Sequence, residues 1–307
     1  MKVGFLFNGQ GAQCPGMGKD IYDHFPLAAT FYRQVHDATG VDVAQLSFQA
    51  SEESIKDSRT AQLCLLALEM SIFQILRQHT LHPHIVAGFS FGEYPALIAA
   101  GALPLDDGIR LVLARGTLMS ESAARKNGAM ALIEGLPRQA LQRLMTPLPR
   151  VYIACHNTKT QFFVAGEKEE IEQLVSTTKA RGLTALVLPV GGAFHSPYIA
   201  DAALRFQEIL RTISFTSPRI PVIGNVHATP MTTTEEIAAD TAAQMLSPVA
   251  WHATIVKMLE LGTNTFIEIG PGHGLSAMVR KIDRQAEVML TRNTQELGKV
   301  LTRFARN

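Results

Sequence analysis

Three cysteines in 307 residues, Cys14, Cys64 and Cys155, are too few for a cysteine-built scaffold. Their number is odd and no C-x-x-C pair occurs, which argues against a disulfide framework and against a zinc site. Reduced thiols in a cytoplasmic protein are the expectation. Charge of one sign is missing as well. The 28 Lys and Arg against 27 Asp and Glu leave a formal charge of +1, which argues against nucleic acid or an anionic membrane as the main partner. No uninterrupted apolar run approaches the roughly eighteen residues of a bilayer span. The opening Met1-Lys2-Val3-Gly4-Phe5-Leu6-Phe7 breaks at Asn8-Gly9, too early for a secretory signal. His79, His82 and His84 lie close together, but no carboxylate or cysteine stands at ligand spacing, so no metal is expected. Fixed-period repeats and low-complexity tracts are also absent. What is left is a soluble chain, 47% hydrophobic and 18% charged, long enough for one large domain or two of unequal size.

Its organisation follows from apolar periodicity. Residues 3–7 are a short, fully apolar strand candidate that runs into the glycine-rich loop Gly9-Gln10-Gly11-Ala12-Gln13. Helical spacing marks Leu27 to Thr39 and, most clearly, Thr60 to His79. A strand at 85–87, a helix from Glu93 to Ala100 and another from about Pro104 to Ala124 follow. Strands this apolar, set between helices, predict an α/β fold whose mainly parallel sheet is covered on both faces. From about Gly128 to Val190 the pattern shortens to strand 129–133, helix 138–145, strands 151–154 and 161–165, helix 169–181 and strand 184–188. That is the βαββαβ order of a ferredoxin-like unit. Strand and helix signals resume at 220–223, 251–261 and 265–269. The predicted organisation is a discontinuous large α/β domain, residues 1–127 and 192–307, interrupted by a ferredoxin-like small domain, residues 128–191. A cleft is expected where the chain crosses between them.

Gly88-Phe89-Ser90-Phe91-Gly92 carries the chemistry. It follows the strand Ile85-Val86-Ala87 and precedes a helix with Pro95 in its first turn, which is the setting of the nucleophile elbow of an α/β-hydrolase-like sheet. A serine nucleophile needs a base, an oxyanion hole and a group that binds substrate. His195, in Gly191-Gly192-Ala193-Phe194-His195-Ser196-Pro197, lies where the small domain returns to the large one and can reach across the cleft; a capping or solvated histidine is the alternative. The backbone N–H of Gln10 can serve an oxyanion together with that of Phe91, or the glycine loop is a plain turn. Arg115 stands in an otherwise apolar helix, where a buried guanidinium requires a carboxylate or phosphate partner; a surface arginine is the alternative. Gly270-Pro271-Gly272-His273-Gly274 reads as a phosphate cradle or as a simple strand-to-helix turn.

Taken together with Phe7-Asn8-Gly9-Gln10-Gly11-Ala12-Gln13, Arg115-Gly116, Asn225-Val226, Gln244, Ser247-Pro248-Val249-Ala250-Trp251 and Glu268-Ile269-Gly270-Pro271-Gly272, these motifs resemble the malonyl-CoA:acyl carrier protein transacylases. Polyketide acyltransferases share the likeness. The resemblance spans nearly the whole chain in the same order. It implies acylation of Ser90 from malonyl-CoA or a related acyl-CoA, His195 as general base, and transfer to the phosphopantetheine thiol of an acyl carrier protein, with no cofactor. It further implies that Arg115 binds the substrate carboxylate, that Gln10 and Phe91 form the oxyanion hole, and that Gln244 helps hold His195 in place of a triad carboxylate.

Departures from the family pattern bear on specificity. Phe89 replaces the histidine that usually precedes the nucleophile in malonyl-specific members, whereas Phe194 is malonyl-like and should crowd an α-methyl group. Asn8, where proline is common, reads as a loop variation only. A thioesterase-like hydrolase using the same serine, with His273 as base, is the alternative enzyme. The resemblance also implies an acidic carrier protein, for which Arg280, Lys281 and Arg284 are the candidate contacts; a solvated helix end with cations near its C-terminus is the alternative.

Overall fold

The computed structural model describes residues 2–125 and 127–305. Among these residues the strands, in chain order, are β1 (Val3–Phe7), β2 (Ile85–Gly88), β3 (Gly128–Glu134), β4 (Val151–Thr158), β5 (Gln161–Glu167), β6 (Thr184–Val187), β7 (Val222–Ile223), β8 (Pro230–Met231), β9 (Thr265–Ile269) and β10 (Glu287–Leu290). The larger sheet has the order β10-β9-β1-β2-β7-β8. Its first five strands are parallel, while β8 folds back antiparallel on β7. The sheet is therefore mixed rather than wholly parallel. Every residue of β1, β2 and β9 is buried, the condition that apolar runs without alternation report.

The Ser58–Gln78 helix sits against the middle of this sheet. Its Phe73 ring meets Phe5 and Phe7 edge-on, with centroids 6.3 and 6.1 Å apart, a geometry that brings ring edges to ring faces. By length and composition this helix is able to cross a bilayer. Yet 83% of that stretch is buried inside the protein, as expected of a helix that is apolar on all sides. The Pro26–Thr39 and Leu105–Arg125 helices pack along it, and the second of these carries Arg115 towards the ends of β1 and β2.

The smaller sheet is antiparallel, in the order β4-β5-β3-β6. The Arg138–Met145 and Lys168–Ala180 helices complete its βαββαβ order. It has a core of its own, with Ile133, Leu141, Phe162, Val164, Ile171 and Leu174 fully buried. Several contacts join it to the rest of the chain. The outgoing and returning chain meet, since a Cβ placed on Gly128 would lie 2.8 Å from the Ala193 Cβ and 2.9 Å from its N. Cys155 of β4 forms an isolated parallel bridge with Val249, in which His156 N–H donates to the Val249 carbonyl at 2.9 Å and Val249 N–H to the Ala154 carbonyl at 2.9 Å. Lys281 Nζ meets Glu134 Oε1 at 2.5 Å.

One helix near the cleft has no strong apolar signature. Thr234–Gln244 begins with a capping box, in which the Thr233 side chain accepts from Glu236 N–H and the Glu236 carboxylate accepts from Thr233 N–H. Reciprocal capping satisfies donors that the first helical turn leaves without partners. The helix delivers Gln244 to the site.

Candidate active site

Ser90 adopts φ +53°, a left-handed conformation that a side chain does not favour. Its surroundings impose that turn. A Cβ on Gly88 would come within 1.9 Å of the Gly92 carbonyl, and one on Gly92 within 2.3 Å of Phe7 O, so only glycine fits on either side. Asn225 then brackets the bend, with Oδ1 accepting Ser90 N–H at 2.7 Å and Nδ2 donating to Gly88 O at 2.8 Å. Gln244 Nε2 donates to the Ser90 carbonyl at 2.9 Å. Both backbone polar groups of the serine are thus held by side chains from distant parts of the sequence.

The His195 imidazole lies across the cleft with Nε2 2.6 Å from Ser90 Oγ. Its Nδ1 is 2.9 Å from Gln244 O and 3.2 Å from Ser247 O. Carbonyl oxygens only accept, so Nδ1 carries the proton, and Nε2 of the neutral ring presents its lone pair to the serine hydroxyl. Gln244 therefore reaches His195 through its backbone carbonyl and not through its side chain, and Ser247 is a second acceptor that sequence reasoning did not assign. Burial, and then the nearby Arg115 cation, push the His195 pKa down to about 4. The ring is neutral at physiological pH.

Arg115 is buried, 1% exposed, and enters the same site. Its Nη2 donates to Ser90 Oγ at 3.1 Å and to Gln244 Oε1 at 3.2 Å, and the guanidinium stacks 5.5 Å from the Tyr94 ring. Nε and Nη1 are buried with no hydrogen-bond partner among the described residues. Burial holds the guanidinium pKa below its ordinary value. A buried cation with unpaired donors is a prepared receptor for an anion.

Gln10, Phe89, Met119, Met130, Phe163, Phe194 and the two catalytic candidates line one cleft between the sheets. The Gln10 side chain is committed elsewhere, to Ser58 Oγ and Gln62 Nε2, each at 2.9 Å, which fixes the loop that aims its backbone. Phe91 directly follows Ser90 and is fully buried. The Phe89 ring packs edge-on to Trp251 and Phe163, at 5.4 and 6.2 Å, so it closes one wall of the cleft with hydrocarbon.

Two alternatives raised by the sequence are not supported. His273 is exposed and it is His195 that contacts Ser90. The Gly270–Gly274 turn is not a vacant phosphate cradle, because the buried Glu268 carboxylate already accepts the following helix's Leu275 N–H at 3.2 Å and Ser276 N–H at 2.7 Å. Asn8 is more than a loop variation. It is buried, with Nδ2 donating to Glu268 Oε1 at 2.6 Å and Oδ1 accepting Gly272 N–H at 2.8 Å, and so it locks that turn.

Residues 4–299 match the acyl transferase domain family. The chain is 33% identical to a malonyl CoA-acyl carrier protein transacylase of Bacillus subtilis (strain 168), over 94% of this chain and 92% of that protein. It is 34% identical to the polyketide biosynthesis malonyl CoA-acyl carrier protein transacylase PksC of the same organism, over 94% and 99% respectively. Among solved structures, a malonyl-transacylase in complex with its type II polyketide acyl carrier protein superposes with a TM-score of 0.94 at 31% identity, covering 99% of this chain and 100% of that one. The transacylase of Streptococcus pneumoniae superposes with a TM-score of 0.91 at 34% identity, covering 99% and 100%.

Proposed function

The chain belongs to the malonyl CoA-acyl carrier protein transacylase family, and from that premise we propose that it moves a malonyl group from coenzyme A to Ser90 and then to the phosphopantetheine thiol of an acyl carrier protein. Ser90 Oγ attacks the thioester carbonyl as its proton passes to His195 Nε2. The oxyanion is met by the backbone N–H groups of Gln10 and Phe91. Collapse expels the coenzyme A sulfur, which takes the proton back from His195 and leaves an ester on Ser90. The carrier thiol then gives its proton to His195 and attacks that ester in the same geometry, and Ser90 Oγ recovers the proton on release. The chemistry calls for no cofactor, because coenzyme A enters and leaves as substrate.

The single observation that carries the substrate assignment is Arg115, buried with Nε and Nη1 free beside Ser90 Oγ. A malonyl carboxylate pairs with this cation and accepts from one of the two free donors, alone or together with the adjacent Nη2. Phe194 narrows the same cleft, favouring malonyl over an α-branched homologue. The histidine has no carboxylate partner among the described residues, only the Gln244 and Ser247 carbonyls, which suffices because exchange between thioesters and an ester is nearly balanced in energy. Apolar walls of Phe89, Phe163, Met119 and Met130 offer little to hold a water molecule, which favours transfer over hydrolysis. We place the reaction in the cytoplasm, where three unpaired cysteines stay reduced.

Intact-protein mass spectrometry after mixing with malonyl-CoA tests the assignment. The expected result is one malonyl adduct, absent from Ser90→Ala and discharged by a holo carrier protein. Adduct loss to free malonate, with no carrier acylation, would make the protein a hydrolase.

A further inference from the structure

Behind the nucleophile lie two carboxyl groups that the transfer steps do not use. Glu93 opens the Glu93–Ala99 helix and is fully buried, and Asp240, on the Thr234–Gln244 helix, is 3% exposed. Both reach one donor, since Asn225 N–H lies 2.8 Å from Glu93 Oε2 and 3.0 Å from Asp240 Oδ2. The backbone N–H groups of Val226 and His227 also converge on Asp240. The Glu93 Oε1 is buried without a hydrogen-bond partner among the described residues. Neither carboxyl is in an ion pair among the described residues. Two buried carboxyls that share the Asn225 N–H, with no cation paired to either among the described residues, cannot both be ionised, so the pair retains one proton. Burial raises both, Glu93 strongly, with the Asp240 charge adding to its shift.

This pair sits where the supports of the site converge. Asn225, whose N–H it holds, is the residue that brackets Ser90 N–H and Gly88 O. Asp240 lies one helical turn before Gln244, which holds the Ser90 carbonyl, Arg115 and, through its own carbonyl, His195. Glu93 is three residues beyond the nucleophile. We propose that Glu93 and Asp240, sharing one proton, are a positioning pair that fixes Asn225 and thereby the left-handed turn of Ser90, and that loss of the shared proton at alkaline pH releases this alignment. The inference rests on Ser90 being the acylated residue. The other charged or titratable groups facing the pair are Tyr94 on the Glu93 helix, Arg115 on the Leu105–Arg125 helix and His227 on the turn after Asn225. Tyr94 is buried and pushed far up, so it stays neutral.

The test follows Ser90 acylation by malonyl-CoA, and in parallel its sulfonylation by phenylmethylsulfonyl fluoride, as functions of pH for the wild type, Glu93→Gln and Asp240→Asn. Gln at 93 supplies a donor that does not titrate, so the reversible alkaline decline of the wild-type rate flattens in both reactions. Asp240→Asn lowers the acylation rate constant by about tenfold or more without raising KM for malonyl-CoA, the signature of misalignment rather than lost binding. Thermal melts separate this from unfolding, because the wild type loses stability as pH rises through the folded pKa of the pair and Glu93→Gln does not. Superimposable pH profiles of the wild type and Glu93→Gln would overturn the proposal, as would an Asp240→Asn defect confined to KM. If the wild type reacts with the sulfonyl fluoride at Ser90 but takes no malonyl group, the substrate assignment fails and the positioning pair is still tested.

Discussion

Replacing Arg115 by alanine separates recognition of the acyl group from the chemistry performed on it. The guanidinium is 1% exposed, its Nε and Nη1 lack partners, and no carboxylate of the protein pairs with it among the described residues. A malonyl carboxylate carried into that site exchanges water for a single cation. At about 4 Å and an effective dielectric of about 20, the pair attracts by about 4 kcal/mol, and removing one partner of such a buried pair typically costs about 2–5 kcal/mol. Each 1.36 kcal/mol is about tenfold in rate, so kcat/KM for malonyl-CoA should fall by about 30-fold to several thousandfold. Acetyl-CoA has no carboxylate to lose, and a buried cation without a partner is a cost its complex no longer bears. Acetyl loading should hold steady or improve. Stopped-flow acylation with both thioesters reads the difference directly. Equal losses for the two would mean that Arg115 supports Ser90 or the fold, and would remove it from the substrate site. A second signature is independent of substrate: Arg115 is one of the causes of the depressed His195 pKa, so the acid limb of acetyl loading should move to higher pH in the variant.

Other outcomes follow from the same geometry. In the wild type, kcat/KM for loading should stay flat as pH falls below 6.5 and decline only towards about 4, where His195 takes a proton; a midpoint near 6.5 would indicate a solvated base. The same depressed pKa gives a stability contribution that is present above the unfolded value near 6.5 and is lost as pH falls through the folded one, which chemical denaturation between pH 4 and 7 would detect. His195→Ala should slow Ser90 loading by about a hundredfold or more, whereas His273→Ala, an exposed change at a helix start, should leave it intact; the reverse order would restore the hydrolase reading. For the carrier protein, Lys281 is already engaged with Glu134, so charge reversal of Arg280 and Arg284 is the cleaner probe. It should raise KM for the carrier protein and flatten its salt dependence without touching malonyl-CoA loading, and an unchanged KM at low salt would place docking elsewhere.

The parts of the molecule legible from sequence are those in which one local pattern dominates. β1, β2 and β9 announce themselves as apolar runs, and the Ser58–Gln78 helix by its length and period. The elbow is legible because glycine is required on both sides of Ser90. The α/β class and the ferredoxin-like order are borne out by the two sheets, with β8 making the larger one mixed. Elements stabilised from outside were harder to read. β8 and β10 are edge strands of two and four residues, too short for a pattern to stand out, and Thr234–Gln244 has too few large apolar residues to show a stripe. Its capping box, Thr233 with Glu236, was the available signal. Within the site, Asn225 stood in a recognised motif without a role, because its function is a contact with a serine far away in sequence. The division of labour within Gln244, carbonyl to the histidine and amide to the serine and arginine, is a matter of three-dimensional placement that no spacing encodes.

The meeting of Gly128 with Ala193 makes the four-stranded unit a graft whose two ends share one seam, with the Cys155–Val249 bridge and the Lys281–Glu134 pair as further stitches. Because the outgoing and returning chain touch, a foreign unit whose own ends are equally close meets the seam without stretching the chain, and it must then supply its own cleft wall in place of Met130 and Phe163. Excision, too, leaves a gap that a few residues of linker can bridge, at little cost in loop closure. What such surgery cannot treat as spare is the returning stitch. His195 lies two residues past Ala193, so an exchange that displaces the seam by an ångström displaces the imidazole with it.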